Sequence, residues 1–482
     1  MATRHYAFAL AAGTFLMGAL GLAAAPAQAP QSAVTFQKDV LPILQKNCQT
    51  CHRPGQIGPF SMLTYKETRP WAKAIKNAVV TKAMPPWLAD PQYGHFDNDR
   101  SLKPADMATI VAWADSGAVE GDPKDAPPPL NWPPAGWQSQ PDVVVDLPTY
   151  NVPAVGVVDW QNFAVPAPFK EDTWVTSIQV LPGDTAVVHH MCFGFEQHKP
   201  TTMYNTYEWV EIPRDDEGLP RNRPQPVAGA APVEGATGEG GTTPREGTVV
   251  TREASSTVEK RRQGRPALST NGTFCYLPGL PIEDYRPMGA GYLVPAGSDI
   301  IVSIHYTSNG LAVVDKTRIG FTVARTPPAR EFLPQGGERV IPGRTSPVQQ
   351  KSRINEMAIP PREGAYVAPP IEVTFLKDTE LVSLRPHAHV RGKSVQYKLT
   401  YPDGREEIVL NVPRYDFNWQ LTYRTSVKVP QGSKMQIQFV YDNSATNRYN
   451  PDPSKWVYNG QQSWEEMGVP FLGFLVDREP AK

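Results

Sequence analysis

Cys48-Gln49-Thr50-Cys51-His52 holds the densest set of reactive side chains in the sequence. Two cysteines three positions apart on a helical turn can form thioethers to the two vinyl groups of a haem. The adjacent histidine then lies under the iron as proximal ligand. A redox dithiol or a zinc site uses similar spacing, but zinc needs a second ligand pair close by, and none occurs before His95. The pattern therefore points to covalent haem c on Cys48, Cys51 and His52. Met84 is the expected sixth ligand, because the prolines of Ala83-Met84-Pro85-Pro86-Trp87 make a stiff mount for a thioether. Met62 and His95 are its rivals, and core packing is the ordinary use of either methionine.

A second chemistry lies in three histidine groups. His189-His190-Met191 follows the strand-like Ala186-Val187-Val188, His305 ends Ile300 to Ile304, and His387-Ala388-His389 follows Leu381 to Leu384. Residues i and i+2 of a strand share a face, so His387 and His389 can chelate one ion. Adjacent His189 and His190 share an ion only where the backbone bulges, and His305 is the candidate third ligand. Three imidazoles suit copper or zinc, and a thioether completing the His387/His389 pair would favour Cu(I). Any one of these histidines alone reads as a satisfied polar residue. Five of the nine in the sequence sit in strand-associated groups, which favours metal binding. His198 has no such context and reads as surface.

The elements around these groups follow from composition. The chain has 482 residues, a net charge of −1, 51 prolines and 37 glycines. This length implies more than one domain, and the near-zero charge argues against nucleic acid as a partner. The proline excess excludes a helical bundle as the main body and favours short strands and turns. Residues 1–29 read as a signal peptide, with Arg4, an apolar run and small residues at Ala25, Ala27 and Ala29. A retained anchor is the alternative, and no other stretch is long and apolar enough to span a bilayer. Export to the periplasm or beyond permits disulfides.

Pro104 to Ser116 predicts a helix, with proline in its first turn and Gly117 just past its end. A Pro-rich linker covers 123–142. Beyond it, segments such as Val143–Val145, Trp174–Val180, Ile300–Ile304, Ile371–Phe375, Leu381–Leu384 and Met435–Val440 have strand character. Residues 211–270 have no aromatic residue, histidine or cysteine, and read as a disordered insertion.

Two resemblances bear on these residues. Residues 33–122 are similar to the small class I cytochrome c fold, a haem motif between two helices. Four segments taken in order resemble the copper type II, ascorbate-dependent monooxygenases, the family of the peptidylglycine α-hydroxylating and dopamine β-monooxygenases. They are Val188-His189-His190-Met191, Ile304-His305-Tyr306, Arg385-Pro386-His387-Ala388-His389 with Gly392-Lys393, and Trp464-Glu465-Glu466-Met467. The similarity spans residues 143–478. It implies a multidomain chain: a small all-α cytochrome c domain, then two all-β antiparallel jelly-roll-like sandwich domains, at 143–325 and 326–482, across a wet cleft.

The second resemblance also implies two copper ions. His189, His190 and His305 would hold the one that stores and passes an electron. His387, His389 and Met467 would hold the one that binds O₂ and hydroxylates a C–H bond. Arg385 stands where peptide-amidating members bind a substrate carboxylate. Val469 and Phe471 replace their substrate-facing asparagine and tyrosine, which implies a less polar substrate. The family's several disulfides are absent. Cys192 and Cys275 remain and are expected to pair, bracing the His-His strand, with a buried free pair as the alternative.

The joint expectation is an exported copper-dependent monooxygenase acting on a small organic substrate with O₂. Its electrons would come from a periplasmic donor through the fused haem. The linker would keep the haem domain near without fixing its pose. The alternative is a non-catalytic copper-binding or electron-transfer protein.

Overall fold

A computed structural model describes residues 34–132, 136–156, 158, 160–200, 202, 204–205, 274–277, 282–335, 346–460 and 462–478. The expected signal segment and the whole of the expected insertion lie outside these residues. The described chain is mostly β-sheet with few helices, consistent with β-sandwich domains. No helix among the described residues is long and apolar enough to cross a membrane.

The helices form one unit at the N-terminal end. A turn over Phe36–Val40 runs into Leu41–Asn47, with Ala72–Val80 and Pro104–Asp115 packed nearby. Their apolar faces meet around Phe36, Leu44, Ile75, Ile110 and Trp113, with Met62 among them. Pro104 starts the last helix and Gly117, at φ +95°, follows its end, where only glycine is unstrained.

The strand-like segments lie in observed strands, except that Ala186 and Val187 form a turn before the strand that starts at Val188. Val188–Gln197, Ser298–Tyr306, Gln161–Pro166 and Phe274–Tyr276 make a four-stranded sheet. Its inner face, with Phe163, Met191, Phe193, Phe274 and Val302, buries a core against Thr173–Leu181, Ala290–Val294 and Arg318–Val323. In the second half, a six-stranded sheet around Gly392–Thr400 and Lys434–Tyr441 packs on Thr379–His387, Tyr423–Val429 and Val469–Asp477.

The two halves are not joined by a hinge alone. Arg330–Gln335 pairs antiparallel with Val469–Asp477 on one side and parallel with Ala290–Val294 on the other. One nine-stranded sheet therefore runs through both. A shared sheet sets the orientation of one sandwich on the other, because a register slip would turn core residues to solvent.

The helical unit is also held firmly. Residues 87–98 leave it and lie on the second β half. Trp87 and Phe96 pack on Tyr423 with ring centroids 5.0 and 5.3 Å away. Asp90 N donates to Asn411 O at 2.8 Å, Asp97 N to Arg424 O at 2.9 Å, and Asn98 Nδ2 to Thr422 O at 2.8 Å. Gly94, at φ +70°, comes so close that a Cβ would lie 2.5 Å from Val409 O. The Pro-rich connection is pinned too: Gln45 Nε2 donates to Pro128 O, Arg53 lies 3.9 Å over the Trp132 ring, and Trp137 packs at Gly320. The expected free pose is corrected: aromatic burial and backbone hydrogen bonds fix the unit on the β body.

Glu380 ties the shared sheet together sideways. It accepts hydrogen bonds from Lys428 Nζ at 2.6 Å, Ser426 Oγ at 2.6 Å and Arg330 Nη2 at 2.5 Å. Burial alone would raise its pKa. These donors outweigh burial and lower it from 4.5 to about 2. A depressed acid stabilises the fold above its unfolded pKa, and that stability is lost as pH falls through the folded value. Glu380→Gln is therefore expected to cost on the order of 2 kcal/mol at pH 7. Chemical denaturation should also show a shallower loss of stability between pH 4.5 and about 2. An unchanged acid limb would remove Glu380 from this role.

Candidate metal centre

The four-stranded sheet turns its outer face to a cavity. Register places Asn162 opposite Ser303, Ser303 opposite Cys192, and Cys192 opposite Cys275. One pleat on, His305 lies opposite His190. Asn162, Ser303, Cys192, Cys275 and His190 therefore share one face, and all line the cavity. Arg385, His387, His389, Met467 and Phe471 close it from the second half. The cleft implied by the family resemblance is narrow here: the rings of His190 and His387 are only 6.4 Å apart.

The strand carrying His189 and His190 shifts register between Val188 and His190. This bulge lets adjacent histidines turn to the same ion. Their Nδ1 atoms are 2.8 Å apart. Nitrogens at that spacing subtend about 90° at an ion about 2.0 Å from each. His189, His190 and His305 offer nitrogens that all lie within 4.8 Å of one another, a possible metal site. Trp160 stacks on His305 at 5.2 Å and meets His190 edge-on at 4.7 Å, which fixes both rings.

His387 ends its strand and His389 lies two residues on, ring centroids 5.2 Å apart. His387 Nδ1 donates to Gln420 Oε1 at 2.5 Å, and His389 Nδ1 donates to Glu465 O at 3.2 Å. These bonds select the tautomer whose Nε2 carries the lone pair, as metal-ligating histidines require. His389 Nε2, His190 Nε2 and His305 Nδ1 are buried with no hydrogen-bond partner. An orphaned buried acceptor is costly, and a cation would satisfy His305 Nδ1 and His389 Nε2, whereas His190 turns its other nitrogen, Nδ1, towards His189. Phe417 lies between the two sets, stacked on His189 at 5.5 Å and 6.2 Å from His389.

Burial dominates the electrostatics. It lowers the pKa of His189 to about 4, His305 to about 3 and His387 to about 4, and that of His190 and His389 far below 6.5. Like charges on neighbouring histidines add to the effect at His190, His305 and His389. All five imidazoles are thus neutral near pH 7, the form that binds a metal.

Glu466 assembles the second set. Its Oε2 accepts from the backbone N–H of His389 at 2.9 Å and of Met467 at 3.2 Å, and its Oε1 accepts from that of Arg391 at 2.6 Å. One carboxylate thus clamps the His-Ala-His segment to the methionine loop. Burial pushes its pKa up to about 7, against the pull of these amides and of Arg391. Arg391, 2% exposed, also bonds Asn443 Oδ1 and Trp464 O.

Cys192 and Cys275 form a disulfide between adjacent strands beside His190. Arg385 also lines the cavity, but its Nη1 is 3.8 Å from Glu283 Oε1 and its guanidinium lies 4.5 Å over the Phe471 ring.

At the other motif, His52 N and Cys51 N bond back to Cys48 O, forming one tight turn. His52 Nδ1 is 3.2 Å from Phe60 O, so Nε2 is its free nitrogen. This orientation and two unbridged thiols fit a covalent haem. Met84 is half-buried where the docked segment begins, Met62 is packed in the helical core at 5% exposure, and His95 is exposed. Burial raises the Tyr276 hydroxyl pKa, and charge on Cys51 raises it further. Tyr276, in the strand that carries Cys275, therefore lies near Cys51.

No family model and no curated protein matches the chain. Among solved structures, that of infectious bursal disease virus Gx strain aligns at 10% identity over 71% of this chain and 74% of that one. Its TM-score of 0.16 is too low to carry any argument.

Sequence reading missed Gln420, Trp160, Glu283 and the role of Glu466. Only Glu466 had a signal, its place beside Met467. Glu466→Gln puts an amide N–H₂ where a backbone N–H needs an acceptor. Metal titration should show affinity at the His387/His389/Met467 set falling about 10–100-fold, with the three-histidine set unaffected. Equal loss at both sets would mean that Glu466 supports the fold generally.

Proposed function

We propose that this chain is an exported copper-dependent monooxygenase with a haem c electron donor of its own. His189, His190 and His305 hold one copper. His387, His389 and Met467 hold the other. Cys48, Cys51 and His52 hold the haem, with Met84 as sixth ligand. The carrying observation is that His190, one of three clustered histidines, lines one cavity together with His387, His389 and Met467, about 200 residues or more further along the chain, while His305 Nδ1 and His389 Nε2 are orphaned. The order of these motifs and their resemblance to the copper type II monooxygenases support the same reading, with residues 1–29 as its export signal.

When bound, copper at the two sets and a haem would supply reduction of O₂ and transfer of one oxygen atom to a C–H bond of a small organic substrate, with the other oxygen leaving as water. The protein's part is positional. Gln420 and the Glu465 carbonyl hold protons on the Nδ1 atoms of His387 and His389, so the Nε2 lone pairs stay available. Phe417 and Trp160 cover the imidazoles and limit water. The thioether of Met467 distinguishes the second set, since it favours the reduced ion. The fixed docking of residues 87–98 and the nearness of Cys51 to Tyr276 suit delivery of electrons within one chain. A periplasmic donor would reduce the haem.

Purified protein should carry about two copper ions and one haem per chain. With ¹⁸O₂ and a panel of small molecules, mass spectrometry should find one labelled oxygen in product. Met467→His should keep copper and abolish hydroxylation. A single metal ion per chain, or zinc alone, would favour a metal-binding or electron-transfer protein instead. In stopped flow, reduced haem should reoxidise faster than in His189→Ala; equal rates would contradict intramolecular transfer.

A further inference from the structure

Arg385 is the residue from which an anionic substrate would be expected, and its surroundings oppose that use. Its side chain is 7% exposed and faces Glu283. Glu283 Oε2 in turn accepts from Tyr285 Oη at 2.9 Å. Glu283 belongs to Ile282–Asp284, paired with Thr173–Leu181 in the first half, whereas Arg385 belongs to Thr379–His387 in the second. The pair thus forms where the two halves meet, and Phe471 covers the guanidinium. A carboxylate entering the cavity would meet a cation that is already neutralised. It would have to lose its own water to gain an interaction that Glu283 already makes.

The rest of the wall agrees. Among the described residues that line the cavity, Arg385 is the one that is permanently charged. Trp160, Leu277 and Phe471 supply apolar surface, and the cross-strand pair Asn162 and Ser303 supplies an amide and a hydroxyl. The space is small, about 110 Å³. A cavity of about 150 Å³ holds one benzene, so the occupant has on the order of six non-hydrogen atoms or fewer.

We infer that this cavity selects a small uncharged organic molecule with a single hydrogen-bonding group, and that the Arg385–Glu283 pair sets the discrimination against carboxylates. The inference rests on the proposed hydroxylase only in taking the cavity as the substrate site.

Propionamide and propionate are matched in shape and differ in charge. Binding of each is measured by equilibrium dialysis with full-length, copper-loaded protein kept reduced under argon, since Cu(I) is a poor ligand for carboxylate oxygen. Wild-type protein should bind propionamide at least about 10-fold more tightly than propionate. Glu283→Gln removes the internal counterion and should reverse the preference, with about a 10-fold gain for propionate. The double variant Glu283→Gln/Arg385→Met should lose that gain and prefer propionamide again. It also shows whether the single variant's result comes from the freed cation or from general loosening. Equal or tighter binding of propionate by wild type would overturn the inference, as would failure of propionamide to bind. Absence of ¹⁸O incorporation with the neutral preference intact would count against the hydroxylase and leave the selectivity standing.

Discussion

The structure depends on keeping five closely spaced imidazoles neutral, three of them on the wall of one cavity. Buried nitrogen lone pairs without donors are costly, and His305 Nδ1 and His389 Nε2 are two of them. Protonation does not relieve them near neutral pH, because burial holds these histidines well below 6.5. A bound cation does. This demand explains why so many surrounding groups serve orientation rather than packing: Gln420 and the Glu465 carbonyl on Nδ1 atoms, Trp160 on His305, and Phe417 between the two sets.

The fold meets that demand by joining its halves covalently and through hydrogen bonds. Arg330–Gln335 belongs to the second half by its antiparallel partner and to the first by its parallel one. The nine-stranded sheet so formed fixes the distance between the outer face of the four-stranded sheet and the end of Thr379–His387. The Cys192–Cys275 bridge ties the short strand Phe274–Tyr276 to the strand bearing His190. Glu466 does the corresponding work opposite, with three backbone amides on one carboxylate. Rigid supports of this kind suit a site whose geometry must persist when its ions change charge.

Much of this was legible in the sequence where the information is local. The i, i+2 spacing of His387 and His389 suggested a shared strand face, but the strand ends at His387, and Glu466 and the Glu465 carbonyl hold His389. Adjacent His189 and His190 required a bulge, and one occurs there. Pro104 and Gly117 marked a helix to within a residue. The Cys192–Cys275 pairing was expected from export and from the resemblance, with a free buried pair as the alternative, and the bridge is present. What could not be read was non-local. Nothing local tells that Ala290–Val294 accepts a parallel partner from the other half. Nor does any local pattern say that Trp87 packs on Tyr423, or that Glu283 neutralises Arg385. The last is instructive: an arginine in a substrate position is read by its own identity, but its availability depends on a partner about 100 residues away.

X-ray absorption at the copper edge of the reduced, fully loaded protein tests the central claim most directly. Five imidazoles and one thioether shared between two ions predict, averaged per copper, about two and a half nitrogen ligands and half a sulfur ligand. A single copper per chain, or two coppers with no sulfur scatterer, would contradict the account.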